Sequence, residues 1–490
     1  MTATSTAANT EAAENASAIP KILYAVSEVA PFVVTGGMGQ VVGSLPAALR
    51  RVEPTLEIAV VAPLYQAVFA HYGAALEHVG TVEVNLAWRT KGCGIYRTQR
   101  DGITYFFLDN SDYFNRENCY GYYDDGERFA FFSQAVLAAL EAMQFVPEVI
   151  HCHDWQTALI PIYLKTLYRE KYPQMRSIFT IHNIEYQGKY TLDILGDVFG
   201  LGADAYPLVE YDGCLNLMKG AIVACDRLTT VSPSYAEEIK AGGGYGLDHI
   251  INIYAGKLTG ILNGIDTNLY NPTCDAKLRV NFDADCLAKK ALCKRELQTL
   301  FNLPVSPRTP VLCMVSRLVP HKGIDLLTTI IDDLLKENLQ LCILGTGDHL
   351  YELFLSDLAI RYPEQVVVNI AYNAEISTKI YAGSDMMLMP SLSEPCGLAQ
   401  MIASRYATVP IVRATGGLKD TIKDCRYGEG NGFVFSRYNS NDFLQTIRAA
   451  LGLYNNFPED WFLLMKEVIG QDFSWDRSAR DYLELYSTLT

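Results

Sequence analysis

A glutamate framed by small and turn-forming residues, Ser391-Leu392-Ser393-Glu394-Pro395-Cys396-Gly397-Leu398, stands between an apolar run, Met386–Met389, and a helical pattern running from about Gly397 to Tyr406. A carboxylate at a strand-to-helix turn can bind a sugar hydroxyl, and helix N-terminal amides beside it can hold a phosphate. Ser316-Arg317-Leu318-Val319-Pro320-His321-Lys322-Gly323 places two cations, Arg317 and Lys322, on one loop before another helix. They read either as a solvated charge pair or as a clamp on a diphosphate, whose charge grows as a bond to it breaks. Thr35-Gly36-Gly37-Met38-Gly39 follows an apolar run and opens a helix. This is either a tight turn or a backbone cradle for phosphate; its glycine spacing does not match the dinucleotide fingerprint. His151-Cys152-His153-Asp154-Trp155 and His182-Asn183 close two further strand-like runs. Asp154 reads as a helix N-cap or, with Trp155 at hand, as a partner for a sugar hydroxyl. His182 is structural or, beside Asn183, a contact to a sugar. His151 and His153 share a strand face, but no third ligand at a suitable spacing completes a metal site, and none is expected.

Apolar runs alternate with helical patterns along the chain: Lys21–Val26, Leu56–Val61, Val149–Cys152, Ser177–Ile181 and Leu228–Val231, then Val311–Val315, Leu339–Leu344, Val366–Ile370, Met386–Met389 and Val409–Val412. This rhythm predicts an α/β fold of two doubly wound domains facing each other across a cleft, with ligands at the carboxyl ends of parallel strands. The Gly, Asn, Asp and Pro cluster near Asn263–Pro272 predicts the break. The expected parts are a disordered tail (1–20), an N-terminal domain (21–265), a C-terminal domain (266–472) and a last segment (473–490). Two motifs stay ambiguous. Leu344-Gly345-Thr346-Gly347-Asp348 is loop punctuation or backbone near a nucleotide, and Thr415-Gly416-Gly417-Leu418 reads as a helix start. Tyr372 is core or stacks on a base.

The chain has 490 residues, 49% of them hydrophobic, and a net charge of −15. The charge disfavours a general nucleic-acid or anionic-membrane binder, and no apolar run approaches the roughly 20 residues of a membrane helix. The first 20 residues lack Lys and Arg, so they match neither a secretory signal nor a transit peptide. The 12 cysteines are scattered without a CxxC pair, which suggests reduced thiols and a cytoplasmic protein.

The order of these motifs resembles that of the bacterial glycogen synthases and plant starch synthases, family-five glycosyltransferases. The resemblance runs from about Lys21 to the C-terminus and includes Leu108–Phe114, Tyr120–Phe129, Thr229–Ala236, Leu262–Asp266 and Phe473–Asp476. It implies a GT-B architecture of two Rossmann-like domains, with a last helix, about Asp476–Tyr486, crossing back to the N-terminal domain. It also implies retaining transfer of glucose from ADP-glucose to the non-reducing 4-hydroxyl of an α-1,4-glucan, glycogen or a maltooligosaccharide, with no cofactor. On this resemblance Arg317 and Lys322 would hold the diphosphate. Thr35, Gly36 and Gly37, with the stretch Gly397, Leu398 and Ala399, would assist. Asp154, Trp155, His182, Asn183, Glu394 and Cys396 would surround the donor glucose, Tyr372 would stack on the adenine, and Asn263 would lie near the reacting centre. Arg317, Lys322, Glu394, His182 and Asp154 are the expected catalytic residues.

The chain departs from the family pattern in one loop. Val34 stands where a lysine is usual and Gln40 where an aspartate is usual, and Ala399 replaces a frequent hydroxyl residue. Valine removes a point charge without a nearby replacement visible in sequence; His321, next to Lys322, is a candidate substitute. Two alternatives therefore stand beside the leading reading: a preference for UDP-glucose, and a glucan-binding regulatory paralogue of low activity. Sucrose- or lipid-directed relatives often carry a second glutamate eight residues after the first, where this chain has Ile402.

Overall fold

The computed structural model describes residues 20–371 and 373–489. The tail expected over 1–20 lies, except for Pro20, outside the described residues, and so does Tyr372. Contacts divide the chain into two compact units: Met1–Thr229 with His249–Leu258 and Asp476–Thr490, and Thr230–Asp248 with Thr259–Trp475. The division is thus not a single cut near residue 265, and the chain's last fifteen residues group with its first unit.

The first unit is built on a nine-stranded sheet. Its order is Leu258–Gly260, Arg227–Thr230, Arg176–Ile181, Val149–His153, Ile22–Ala25, Ile58–Pro63, Ile103–Asp109, Arg89–Arg100, Glu77–Leu86. Ile22–Ala25 pairs in parallel with both Ile58–Pro63 and Val149–His153. All three are buried throughout, because a parallel strand is covered on both faces. The last three strands in the order make an antiparallel extension that the sequence reading did not anticipate. Its two outer strands, Arg89–Arg100 and Glu77–Leu86, mix exposed charge with half-buried positions and carry Gly80, Gly92 and Gly94, so no apolar run marks them. The helix Gly37–Val52 turns Met38, Val41, Val42, Leu45 and Leu49 into the core and ends on Arg50 and Arg51, whose charge suits a helix C-terminus. At the far end of the chain, the helix Trp475–Ser487 brings Tyr486 onto the same sheet, where its hydroxyl bonds Tyr24 and His151.

The second unit carries six parallel strands in the order Val366–Asn369, Gln340–Leu344, Val311–Val315, Met386–Met389, Val409–Arg413, Phe433–Phe435. Its core gathers Leu312, Leu327, Leu341, Leu388, Ile411 and Phe443. Lys290, 3% exposed, is the first residue of the helix Lys290–Leu300. Its ammonium donates to the carbonyls of Ala382 (2.8 Å) and Tyr406 (2.7 Å) and to the Thr408 hydroxyl (2.9 Å). With the Tyr381 carbonyl at 3.3 Å, one buried cation thus meets four acceptors from the segments that flank Met386–Met389. Lys290→Met should lower the stability of the protein by about 2–4 kcal/mol through unpaired buried carbonyls. Urea unfolding checks this, and a loss below about 0.5 kcal/mol would show that water replaces the ammonium.

Candidate active site

In the second unit, the loops that follow Val311–Val315 and Met386–Met389 leave adjacent parallel strands. They approach so closely that a Cβ on Gly323, which has φ +75°, would lie 2.1 Å from the Pro390 carbonyl oxygen. That contact brings Lys322 to Glu394: Nζ donates to Oε2 at 2.6 Å, and the Ser391 hydroxyl donates to the same oxygen at 3.1 Å. The side chains are 16% and 7% exposed, so the pair is largely dry. Arg317, the other expected clamp residue, behaves differently: its side chain is exposed and has no polar partner among the described residues. Between them, burial together with the charges of Lys322 and Arg317 pulls His321 down to about 4. His321 is therefore neutral at pH 7 and does not replace the charge missing at Val34.

The Glu394 loop rests on the motif read as a helix start. A Cβ on Gly416 would meet the Glu394 carbonyl oxygen at 2.0 Å, so the glycine is required by close approach and not only by the helix Gly416–Thr421. The helix after Glu394 begins later than expected, at Ala399, because Gly397 takes φ +73°. Helix amides therefore do not follow Glu394 at once: Gly397 and Leu398 are loop residues, with Leu398 at the N-cap and Ala399 the first helical position. Cys396 is 4% exposed, and burial pushes its thiol up to about 12, which makes it an inert wall. Asn263 is 5% exposed, and its Oδ1 is buried without a hydrogen-bond partner.

In the first unit, Asp154 follows Val149–His153 with φ +56°, a strained value for a residue with a side chain. Its Oδ1 accepts the backbone N–H groups of His182 (2.7 Å) and Asn183 (3.4 Å), so it fixes the end of the neighbouring strand Arg176–Ile181. Burial pushes its carboxyl up to about 7, against the pull of those two N–H groups. Asn183 spends its side-chain oxygen on the Glu185 N–H. Trp155 meets Phe129 edge-on at 5.3 Å and leaves no room for a Cβ on Gly188, so much of it is packing. His182 is half-buried, and its Nε2 lies 2.9 Å from His153 Nδ1. Both nitrogens of His151 are taken, by Tyr486 (2.9 Å) and Thr180 (2.6 Å), so it is not a metal ligand. Among the described residues no group of three His, Cys, Asp or Glu could hold a metal ion.

The glycine loop shows what sequence reasoning missed. Glu28, 2% exposed, lies in the loop after the first strand, Ile22–Ala25. It accepts the Thr35 N–H and hydroxyl on one oxygen and the Gly39 N–H, at 3.2 Å, on the other. An internal carboxylate thus occupies part of the helix N-terminus expected to cradle a phosphate, and the Thr35 hydroxyl is already committed. Gly36 and Gly37 stay exposed, and a Cβ on Gly37 would meet nothing within 4 Å. An acid at the carboxyl end of the first strand of a doubly wound sheet was the available sign.

Set against known proteins, the first half matches the family description "Starch synthase catalytic domain" over residues 21–253, and the second half "Glycosyl transferases group 1" over 299–461. A glycogen synthase from Bacillus cereus is 44% identical over 477 residues, covering 96% of this chain and 99% of its own length. One from Geobacillus thermodenitrificans is 44% identical over 476 residues, covering 96% and 98%. Among solved structures, the catalytic domain of starch synthase IV from Arabidopsis thaliana bound to ADP and acarbose superposes with a TM-score of 0.89 at 33% identity, covering 96% of this chain and 99% of that one. A sucrose-phosphate synthase from Thermosynechococcus elongatus, TM-score 0.61 at 16% identity, shares the fold, with 96% and 99% covered.

Because the folded pKa of Asp154 is raised from an ordinary 3.8 to about 7, the native state holds a proton that the unfolded chain gives up. Stability is therefore lost as pH rises from about 4 to 7, and the full cost is present above 7. Asp154→Asn, which still offers Oδ1 to the two amides, should gain about 2 kcal/mol over the parent between pH 5 and 7.5. Urea unfolding at both pH values checks this; a difference that does not change with pH would mean Asp154 ionises normally.

Proposed function

Because the chain belongs to the glycogen and starch synthase family of glycosyltransferases, and is an enzyme of glucosyl transfer in glucan synthesis, we propose that its donor is ADP-glucose. We propose further that it transfers glucose to the non-reducing 4-hydroxyl of an α-1,4-glucan with retention. The observation that carries this reading is the Lys322–Glu394 pair with the unpaired Arg317 beside it. An ammonium has three N–H groups, and Glu394 takes one of them. The other two, with the free guanidinium, suit a diphosphate whose charge rises as the glycosidic bond breaks. Neither carboxylate is placed as a free nucleophile: Glu394 is held by Lys322 and Ser391, and Asp154 by backbone amides. This supports attack on the same face as departure, with the leaving phosphate oxygen taking the acceptor's proton. Glu394, Asp154, His182 and Asn183 then position the donor sugar. Asn263, whose Oδ1 is a buried acceptor without a partner, suits a donated hydrogen bond near the reacting carbon. Tyr372 remains the proposed stacking partner of the base. The ADP and acarbose in the starch synthase IV structure support an adenine nucleotide and a glucan-like acceptor. The proposed compartment is the cytoplasm; no helix among the described residues is long and apolar enough to cross a membrane.

One observation keeps UDP-glucose as a second donor. Val34 is 38% exposed in the loop where the family places a lysine, and the loop's own anion, Glu28, is spent on its amides. Labelled ADP-glucose and UDP-glucose, offered in parallel with a glycogen primer, decide between them. Transfer mainly from ADP-glucose is expected. Transfer mainly from UDP-glucose reassigns the donor, and transfer from neither in folded protein turns the reading to a glucan-binding paralogue. Val34→Lys should keep or raise kcat/KM, because the position is open to solvent; a loss above about fivefold would mean the loop has been rebuilt around an apolar residue. Arg317→Ala should lower kcat about 10²- to 10³-fold with little change in stability. Lys322→Ala should lower kcat comparably and also destabilise the fold, since it strands the buried Glu394 carboxylate. Steady-state kinetics and urea unfolding separate the two, and an Arg317 variant altered only in KM would remove it from the leaving-group role.

A further inference from the structure

His153, which the sequence offers only as a possible metal ligand, is bonded to the His182 ring. It is 1% exposed, and its ring stacks on His151 at 4.3 Å and lies 5.1 Å from Tyr24. The Thr157 hydroxyl clasps its backbone, accepting from the His153 N–H at 2.7 Å and donating to the His153 carbonyl at 2.9 Å. Burial holds both His153 and His182 well below the ordinary imidazole range, so both rings are neutral at physiological pH. Two neutral rings carry two protons on four nitrogens, and one proton must lie in the 2.9 Å contact between His153 Nδ1 and His182 Nε2.

Two arrangements satisfy that contact, and they differ at the far nitrogens. If His182 Nε2–H donates, the proton of His153 sits on its Nε2, which is buried and has no partner among the described residues. If His153 Nδ1–H donates, that Nε2 is a bare lone pair. A buried N–H without an acceptor is rarer and more costly than an acceptor without a donor. The second arrangement is therefore preferred, and it leaves the proton of His182 on Nδ1, on a half-buried ring.

We infer that His153 is a positioning residue that holds His182 in its Nδ1–H tautomer, so that His182 meets its ligand as a hydrogen-bond donor. This rests on the reading of His182 as a contact to the donor sugar. The ligand chemistry it selects is an acceptor, such as a sugar hydroxyl oxygen. No imidazolium forms, so His182 contributes orientation without adding a positive charge at the anomeric centre.

The test uses the full chain labelled with ¹⁵N-histidine, with His182 assigned by its loss in His182→Gln. Long-range ¹H–¹⁵N spectra should show His182 protonated at Nδ1 and bare at Nε2. His153→Phe keeps the aromatic stack and removes the donor. It should mix the two His182 tautomers and lower kcat about tenfold with the donor KM within about twofold. His153→Asn puts an amide donor near the Nδ1 position and should restore the tautomer and most of kcat. Finding His182 protonated at Nε2 in the parent, or unchanged in His153→Phe, overturns the inference. The parent spectrum decides it even if a variant fails to fold. A Nδ1–H spectrum in a protein that transfers glucose from neither nucleotide sugar would uphold the tautomer and refute the proposed function instead.

Discussion

Lys322 and Glu394 lie 72 residues apart in sequence and share a 2.6 Å hydrogen bond because two adjacent parallel strands end side by side. In the second unit the neighbouring contacts keep that pair dry and in register. Gly323 admits the Pro390 carbonyl, Gly416 admits the Glu394 carbonyl, and Arg413 donates from Nε to the Ser391 carbonyl at 2.6 Å. A surface ion pair is worth little in water. Here desolvation makes the pair strong only while both partners are present, so the loops that exclude water are as much part of the chemistry as the charges.

The first unit solves a different problem, that of holding neutral polar groups in place. Thr229, Thr180, His151, Tyr486 and Tyr24 form a buried chain of hydrogen bonds. His151 in turn stacks on His153, which reaches His182. Networks of this kind rigidify a core when every member is satisfied. The orphan Nε2 of His153 is the exception that gives the network a direction.

Much of this was legible in the sequence where local pattern and chemistry coincide. The buried parallel strands announce themselves as apolar runs, and Val311–Val315 and Met386–Met389 lie where expected. The contact of Lys322 with Glu394 was half legible: the sequence put each on a loop after one of these strands, but not against the other. The two outer antiparallel strands, Glu77–Leu86 and Arg89–Arg100, were not legible, because half-exposed strands leave no continuous apolar run. Partnerships were not legible either. Glu28 binding its own glycine loop, and the Asp154 carboxylate committed to two backbone amides, depend on distances that no spacing encodes. The same types of residue looked available for ligand when their hydrogen-bonding capacity was already in use.

The helix Trp475–Ser487 has a consequence for how the protein is made. Tyr486 bonds Tyr24 and His151 across sequence separations of 462 and 335 residues. Loop closure over such distances comes late, after local contacts have formed. During translation the second unit's strands and covering helices are all synthesised before Tyr486 emerges. The first unit, though begun earliest, therefore lacks these hydrogen bonds until the helix Trp475–Ser487 has been made. Order of synthesis and order of completion are thereby reversed, and the unit begun first is the last to be finished.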